Sequence, residues 1–236
     1  MRPLRPRSLP SLPKLYAILD IDSLTARGLE PRVVLHAWLD AGVRLVQLRA
    51  KTLGSGAMVD LADELLTMTR QAGATFIIND RADIALLVGA DGVHVGQGDL
   101  SPAQVRTLSV RRPPCSPRAA QAGLEEQAGL RPFVIGLSTH TLEHVRVALD
   151  GPADHLAIGP VFPTATKADA DAAVGLDMVR QASRVTAGRP LVAIGGITLA
   201  NAPTVLEAGA ASVAVISDLL LGDIGRRARE YVAICQ

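Results

Sequence analysis

Aromatic residues are scarce in this chain: three Phe, two Tyr and one Trp make up 3% of 236 residues. A core built without them must be aliphatic, and the abundance of Ala, Leu, Val and Gly suits buried parallel strands covered by helices. Charge of one sign is also missing. Lys and Arg number 24 against 23 Asp and Glu, a net charge of +1, so the basic footprint of a nucleic-acid binder is absent. Only two cysteines occur, Cys115 and Cys235. They make no disulfide framework, and a reducing cytoplasm is the expected setting. No apolar run reaches the roughly 18 residues of a membrane-crossing helix, so no membrane partner is expected. No His or Cys cluster has zinc spacing. The opening "MRPLRPRSLPSLPK" lacks the apolar stretch of a secretory signal, and residues 1–13 read as a disordered basic, proline-rich leader.

What is present is a rhythm. Short apolar runs fall at residues 15–19, 45–48, 76–78, 93–95, 133–135, 156–158, 191–194 and 213–216. Longer stretches of helical period lie between most of them. In residues 58–68, Leu61, Leu65, Leu66 and Met68 share a face while Asp60, Asp63 and Glu64 stay solvated. Strand, helix, strand, repeated, means right-handed βαβ units and a parallel sheet. Eight such strands predict an α/β fold of the (β/α)8 TIM-barrel kind, one domain over residues 14–236. An open doubly wound sheet is the alternative, but "LDIDSLTARG" after the first strand has no G-x-G-x-x-G fingerprint. Residues 110–132 are proline-rich at first, with a weak helical patch at 119–128, and read as a surface insertion.

Active sites of parallel barrels lie at the C-terminal ends of the strands, so the residues after each run carry the interest. In order these are Asp20; Gln47, Arg49 and Lys51; Asn79 and Asp80; Gln97 and Asp99; Ser138 and His140; Thr164, Thr166 and Lys167; Gly195 and Gly196; Ser217. In "VQLRAK", strand alternation puts Gln47, Arg49 and Lys51 on one side and Val46, Leu48 and Ala50 on the other. Two cations on one face of a buried strand need an anion to meet them, and phosphate fits both. "AIGGIT" and "VAVIS" have the look of the phosphate loops after strands seven and eight, with a helix expected to begin near Leu199. "GPVFPTATKADADAAVG" is too long for an ordinary connection of about 2–6 residues and reads as a binding loop or lid. The histidines read as structural: His94 lies in a strand and points inward, and His36, His144 and His155 have no triad-like partners.

Four acids fall within residues 77–100. Asp80 and Asp83 match a helix start, with Asp80 as N-cap and Asp83 as the third position of a variant capping box. Asp91-Gly92 reads as a turn. Asp99 precedes "LSPAQ", which opens a helix. Yet Asp80 and Asp99 follow adjacent strands of one rim. Paired carboxylates beside a phosphate site suit Mg²⁺, which takes few protein ligands and fills its shell with water and substrate oxygens.

The stretches "VQLRAK", "INDRADIALLVGADGVHVGQGDL", "IGLSTHT", "IGPVFPTATK", "VAIGGIT" and "VAVIS", in this order and spacing, closely resemble the thiamine phosphate synthase family. The resemblance runs from about Leu15 to Ser217, interrupted by the insertion. It implies a barrel transferase that joins 4-amino-2-methyl-5-hydroxymethylpyrimidine pyrophosphate to 4-methyl-5-(2-phosphoethyl)thiazole, releasing thiamine phosphate and pyrophosphate. It further implies that Gln47, Arg49, Lys51, Asn79, Ser138 and Lys167 contact the pyrimidine substrate, with Arg49, Lys51 and Lys167 catalytic. Asp80 and Asp99 would hold Mg²⁺. Thr164, Thr166, Gly196, Ile216 and Ser217 would hold the thiazole phosphate. Two departures stand out: Ala50 replaces the family's usual glutamate, and Asp171 its usual lid glycine. Ala50 faces away from the charged side of its strand, so packing is expected to change there and not chemistry. A thiazole tautomerase of the same superfamily, a non-catalytic precursor sensor and a sugar-phosphate epimerase are the competing readings. The paired acids argue against the first, and no acid–base pair favours the last. Only small-molecule partners are expected, and a homo-oligomer stays open beside a monomer.

Overall fold

A computed structural model describes residues 12–110, 133–164 and 172–235. Eight parallel strands close into a barrel in sequence order: β1 Leu15–Asp20, β2 Leu45–Arg49, β3 Thr75–Asn79, β4 Gly92–Val95, β5 Val134–Thr139, β6 His155–Ile158, β7 Leu191–Ile194 and β8 Ser212–Val215. β8 pairs back onto β1 through Leu15 and Val213. The predicted (β/α)8 barrel is therefore the fold, and the open sheet is excluded. Helices between the strands form the outer ring.

Strand alternation divides the apolar residues into two cores. The inner one fills the barrel with Tyr16, Ile18, Leu45, Ile77, Val134 and Val192, together with two alanines. The outer one lies between strands and helices and includes Val46, Leu48 and Ala50 of the second strand segment. Ala50 thus packs outward, as alternation requires. The helix Ser55–Gln71 buries Met58, Ala62, Leu65 and Leu66 against this layer, each large side chain contributing about 1.5–3 kcal/mol. With so few aromatics, Trp38, Phe76, Phe133 and Tyr231 are the bulky members of the outer core.

Asp91 does more than shape a turn. It is buried before β4, and its carboxylate accepts the Phe76 N–H of β3 at 2.8 Å. Asp154 repeats the device before β6, accepting Ile135 N–H at 2.7 Å while pairing with Arg106. Both acids sit at the N-terminal end of the barrel, away from the C-terminal rim. The helix after β7 begins at Ala202, later than expected, because Thr198 and Asn201 first form a turn, with Asn201 Oδ1 accepting Thr198 N–H at 2.8 Å. Residues 1–11 of the expected leader and 111–132 of the expected insertion, with Cys115, lie outside the described residues. Leu12 packs against the inner core.

Candidate functional site

A pocket opens at the C-terminal mouth of the barrel. Its polar wall is Tyr16, Gln47, Arg49, Asn79, His94 and Ser138, and Ile18, Val192, Ile194 and Ile216 supply an apolar side. Strand alternation brings this set together: Gln47 and Arg49 face inward while Leu48 between them faces the helices. Gln47 is buried and donates to Tyr16 Oη at 2.7 Å. Burial raises the Tyr16 pKa far above that of free tyrosine, so the phenol stays protonated.

The two cations of "VQLRAK" each meet an acid. Asp20 and Arg49 are register partners on β1 and β2. The Arg49 guanidinium donates to the buried Asp20 carboxylate at 2.5 Å. The same carboxylate caps the short helix Ile21–Thr25 through Ser23 N–H. Lys51, past the strand end and half exposed, pairs with Asp80.

Asp80 does not cap the following helix. Arg81 precedes the helix Ala82–Val88, no side chain caps it, and Asp83 instead takes two hydrogen bonds from Arg81 at 2.9 and 2.6 Å. That pairing holds the Asp83 pKa below the usual carboxylate range. The expected capping box fails because the backbone turns sharply at Asp80. Its N–H still bonds His94 O of β4 at 2.7 Å, and its φ is +62°. An acid tolerates this left-handed geometry better than most side chains. The turn leaves the carboxylate on the rim.

Asp99 is likewise free of capping duty. Ser101 caps the helix Pro102–Ser109 in a full capping box with Gln104. Asp99 Oδ2 accepts Gly96 N–H at 2.7 Å. Burial is the largest influence on this carboxyl. With Asp80 beside it, burial outweighs the Gly96 N–H and Lys51 and raises the Asp99 pKa. Two carboxylates side by side on the rim make a hard-oxygen donor pair suited to a divalent cation. Among the described residues no larger cluster of His, Cys, Asp or Glu gathers, so a cation here would take most of its shell from water and ligand oxygens.

On the far side of the mouth, Gly195 and Gly196 take φ of +100° and +64°. A Cβ on Gly196 would fall 2.6 Å from Pro163 O. The glycine pair therefore also lets the loops after β6 and β7 pack closely. Asn201 holds the second glycine by donating to Gly196 O at 3.1 Å. Asp218, buried after β8, accepts Leu199 N–H at 3.0 Å, Arg227 at 2.7 Å and Tyr231 Oη at 2.5 Å. It ties the seventh and eighth loops to the helix Ile224–Ile234. Ile216 lines the pocket and Ser217 opens the turn after it. Thr164 is half-buried at the edge of the described residues. Thr166, Lys167 and Asp171 lie outside them.

Gln47, Arg49, Asn79, Ser138 and Ile216 thus share one pocket, with Lys51, Asp80 and Asp99 on its rim. Sequence reasoning placed Asp20 on the rim but gave it no role, and passed over Asn201 and Asp218. Asp20 carried a signal, since it follows a strand directly. Asp218 and Asn201 act on backbone amides of other loops and carried none. His94 points inward as expected, within 3.0 Å of Ser138 Oγ. His36 does have an acid near it, Asp40 at 3.0 Å, but the pair lies on an exposed helix face.

The profile of the family described as thiamine monophosphate synthase matches residues 15–112 and 123–219. A thiamine-phosphate synthase of Methanospirillum hungatei is 39% identical over 218 residues, covering 92% of this chain and 95% of that one. One from Koribacter versatilis is 40% identical over 228 residues, covering 94% and 96%. Among solved structures, a thiamine phosphate pyrophosphorylase of Pyrococcus furiosus superposes with a TM-score of 0.76 at 31% identity, covering 94% of this chain and 95% of that one.

Proposed function

The chain belongs to the thiamine monophosphate synthase family and forms thiamine phosphate, and on that premise we propose how its rim carries out the condensation. The supporting observation is the row of Arg49, Lys51, Asp80 and Asp99 beside an apolar-walled pocket. The pyrimidine ring enters the pocket beside Gln47 and Asn79, and Ser138 faces its pyrophosphate. Its pyrophosphate lies over Arg49 and Lys51, with Lys167 from the long loop. Asp80 and Asp99 would hold Mg²⁺, which when bound would supply positive charge at the leaving pyrophosphate. The thiazole phosphate sits at the loops of Gly196, Ile216 and Ser217, with Thr164 and Thr166.

The reaction breaks the bond between the pyrimidine methylene carbon and the pyrophosphate oxygen, and the thiazole nitrogen forms the new bond to that carbon. The ring can stabilise a cation at the methylene, so departure precedes attack in a dissociative displacement. The attacking nitrogen carries no proton, and no general base is required. Fixed cations aimed at the leaving group do the electrostatic part, and removing one such group typically lowers kcat by about 10²–10³. Holding two substrates in line supplies up to about 7–11 kcal/mol in ideal cases.

No helix among the described residues is long and apolar enough to cross a membrane. We place the protein in the cytoplasm, acting on small molecules and without a nucleic-acid partner. The test is pyrophosphate release by purified protein given both substrates, in Mg²⁺ and again in EDTA. Release only in Mg²⁺ supports the proposal. Equal release in EDTA would remove the metal from it.

A further inference from the structure

Beneath Ser138 the barrel holds a buried imidazole pair. Strand register sets His94, Gly136 and His155 level with one another on β4, β5 and β6. His94 Nε2 lies 3.0 Å from Ser138 Oγ, and His94 Nδ1 lies 3.4 Å from His155 Nε2. A Cβ at position 136 would fall 2.3 Å from His155 Nε2 and 2.4 Å from His94 Nδ1. Glycine is what makes room for the pair. His155 is 1% exposed, and its Nδ1 has no hydrogen-bond partner among the described residues.

That unpartnered nitrogen decides where the protons sit. Burial, reinforced by His94, lowers the His155 pKa to about 3, so the ring is neutral. A neutral imidazole carries one N–H and one lone pair. Buried donors are left unpaired more rarely than buried acceptors, so the His155 proton belongs on Nε2, where it donates to His94 Nδ1. His94 must then carry its own proton on Nε2 and donate it to Ser138 Oγ. The hydroxyl accepts from below, and its hydrogen turns outward. Pyrophosphate oxygens can only accept, so an outward-pointing donor is the polarity the substrate needs.

We propose that His155 is a positioning residue which, through His94, holds the Ser138 hydroxyl as a hydrogen-bond donor into the substrate pocket. The proposal rests on the reading of Ser138 as a contact for the pyrimidine pyrophosphate. The first measurement is independent of that reading: nitrogen NMR of the ¹⁵N-histidine-labelled protein, without substrate. Both His94 and His155 should be neutral Nε2–H tautomers at neutral pH. A proton on His94 Nδ1 overturns the relay. The second measurement compares His155→Phe, which keeps the ring volume, with His155→Gln, which restores an N–H. His155→Phe should shift His94 to mixed tautomers and raise KM for the pyrimidine pyrophosphate about tenfold. It should leave kcat and the KM for thiazole phosphate near wild type, and His155→Gln should recover the loss. An unchanged KM in a folded His155→Phe overturns the proposal; if that variant does not fold, the wild-type tautomers still decide it. Correct tautomers in a protein that binds no pyrimidine pyrophosphate would instead contradict the reading of the site, and with it the purpose given to Ser138.

Discussion

Arg49 reaches across from β2 to rest against the buried Asp20 carboxylate of β1, 2.5 Å away. The acid aims the guanidinium at the pocket and keeps its charge from lying unpaired at the barrel mouth. Breaking a buried ion pair from one side typically costs about 3–5 kcal/mol. Asp20→Asn retains the bond to Ser23, so a loss near the lower end, about 3 kcal/mol, is expected from urea unfolding. Affinity for the pyrimidine pyrophosphate should fall with it, while thiazole phosphate binding holds.

Asp99 carries the opposite sign. Its folded pKa is raised, so its contribution to stability is present at low pH and lost as pH rises through that raised value. In the metal-free protein burial and the neighbouring Asp80 disfavour the charged form of Asp99. Asp99→Asn should therefore melt at or above the wild-type temperature without metal, and should lose the stabilisation that Mg²⁺ gives wild type. Differential scanning calorimetry with and without Mg²⁺ reads both effects. A variant that melts earlier in the metal-free state would show that Asp99 serves the fold.

Ser101, not Asp99, caps the helix Pro102–Ser109. Ser101→Ala should lower stability by about 1 kcal/mol and leave kcat and both KM values unchanged. Thermal melting and steady-state kinetics separate the cap from the neighbouring rim acid.

Gly196 combines a φ of +64° with the close approach of Pro163 O. Gly196→Ala should push the loops after β6 and β7 apart. The expected result is a raised KM for thiazole phosphate, with pyrimidine pyrophosphate affinity kept.

The barrel was legible because each strand is short, aliphatic and followed by polar residues, and because eight such runs recur. Rim position then separated Asp80 and Asp99 from Asp83 and Asp91, which acidity alone could not do. Local rules failed where distant elements intervene. Asp80 matches a helix cap in sequence, yet its amide is claimed by His94 O on the next strand and the helix starts without it. Asp91-Gly92 matches a turn, yet the acid is drawn inward to a β3 amide. Asn201, His155 and Asp218 act on partners far away in the chain or on backbone groups, so no motif marks them.

The most direct test is calorimetric titration of the pyrimidine pyrophosphate into wild-type protein and Asp80→Asn, each in Mg²⁺ and in EDTA. Asparagine is the informative change because it tolerates the left-handed backbone at this position. The account predicts that wild type binds far more tightly in Mg²⁺ than in EDTA, and that Asp80→Asn, still folded, binds almost equally in both. An Asp80→Asn protein that keeps the full Mg²⁺ enhancement would contradict the assignment of the metal to this rim.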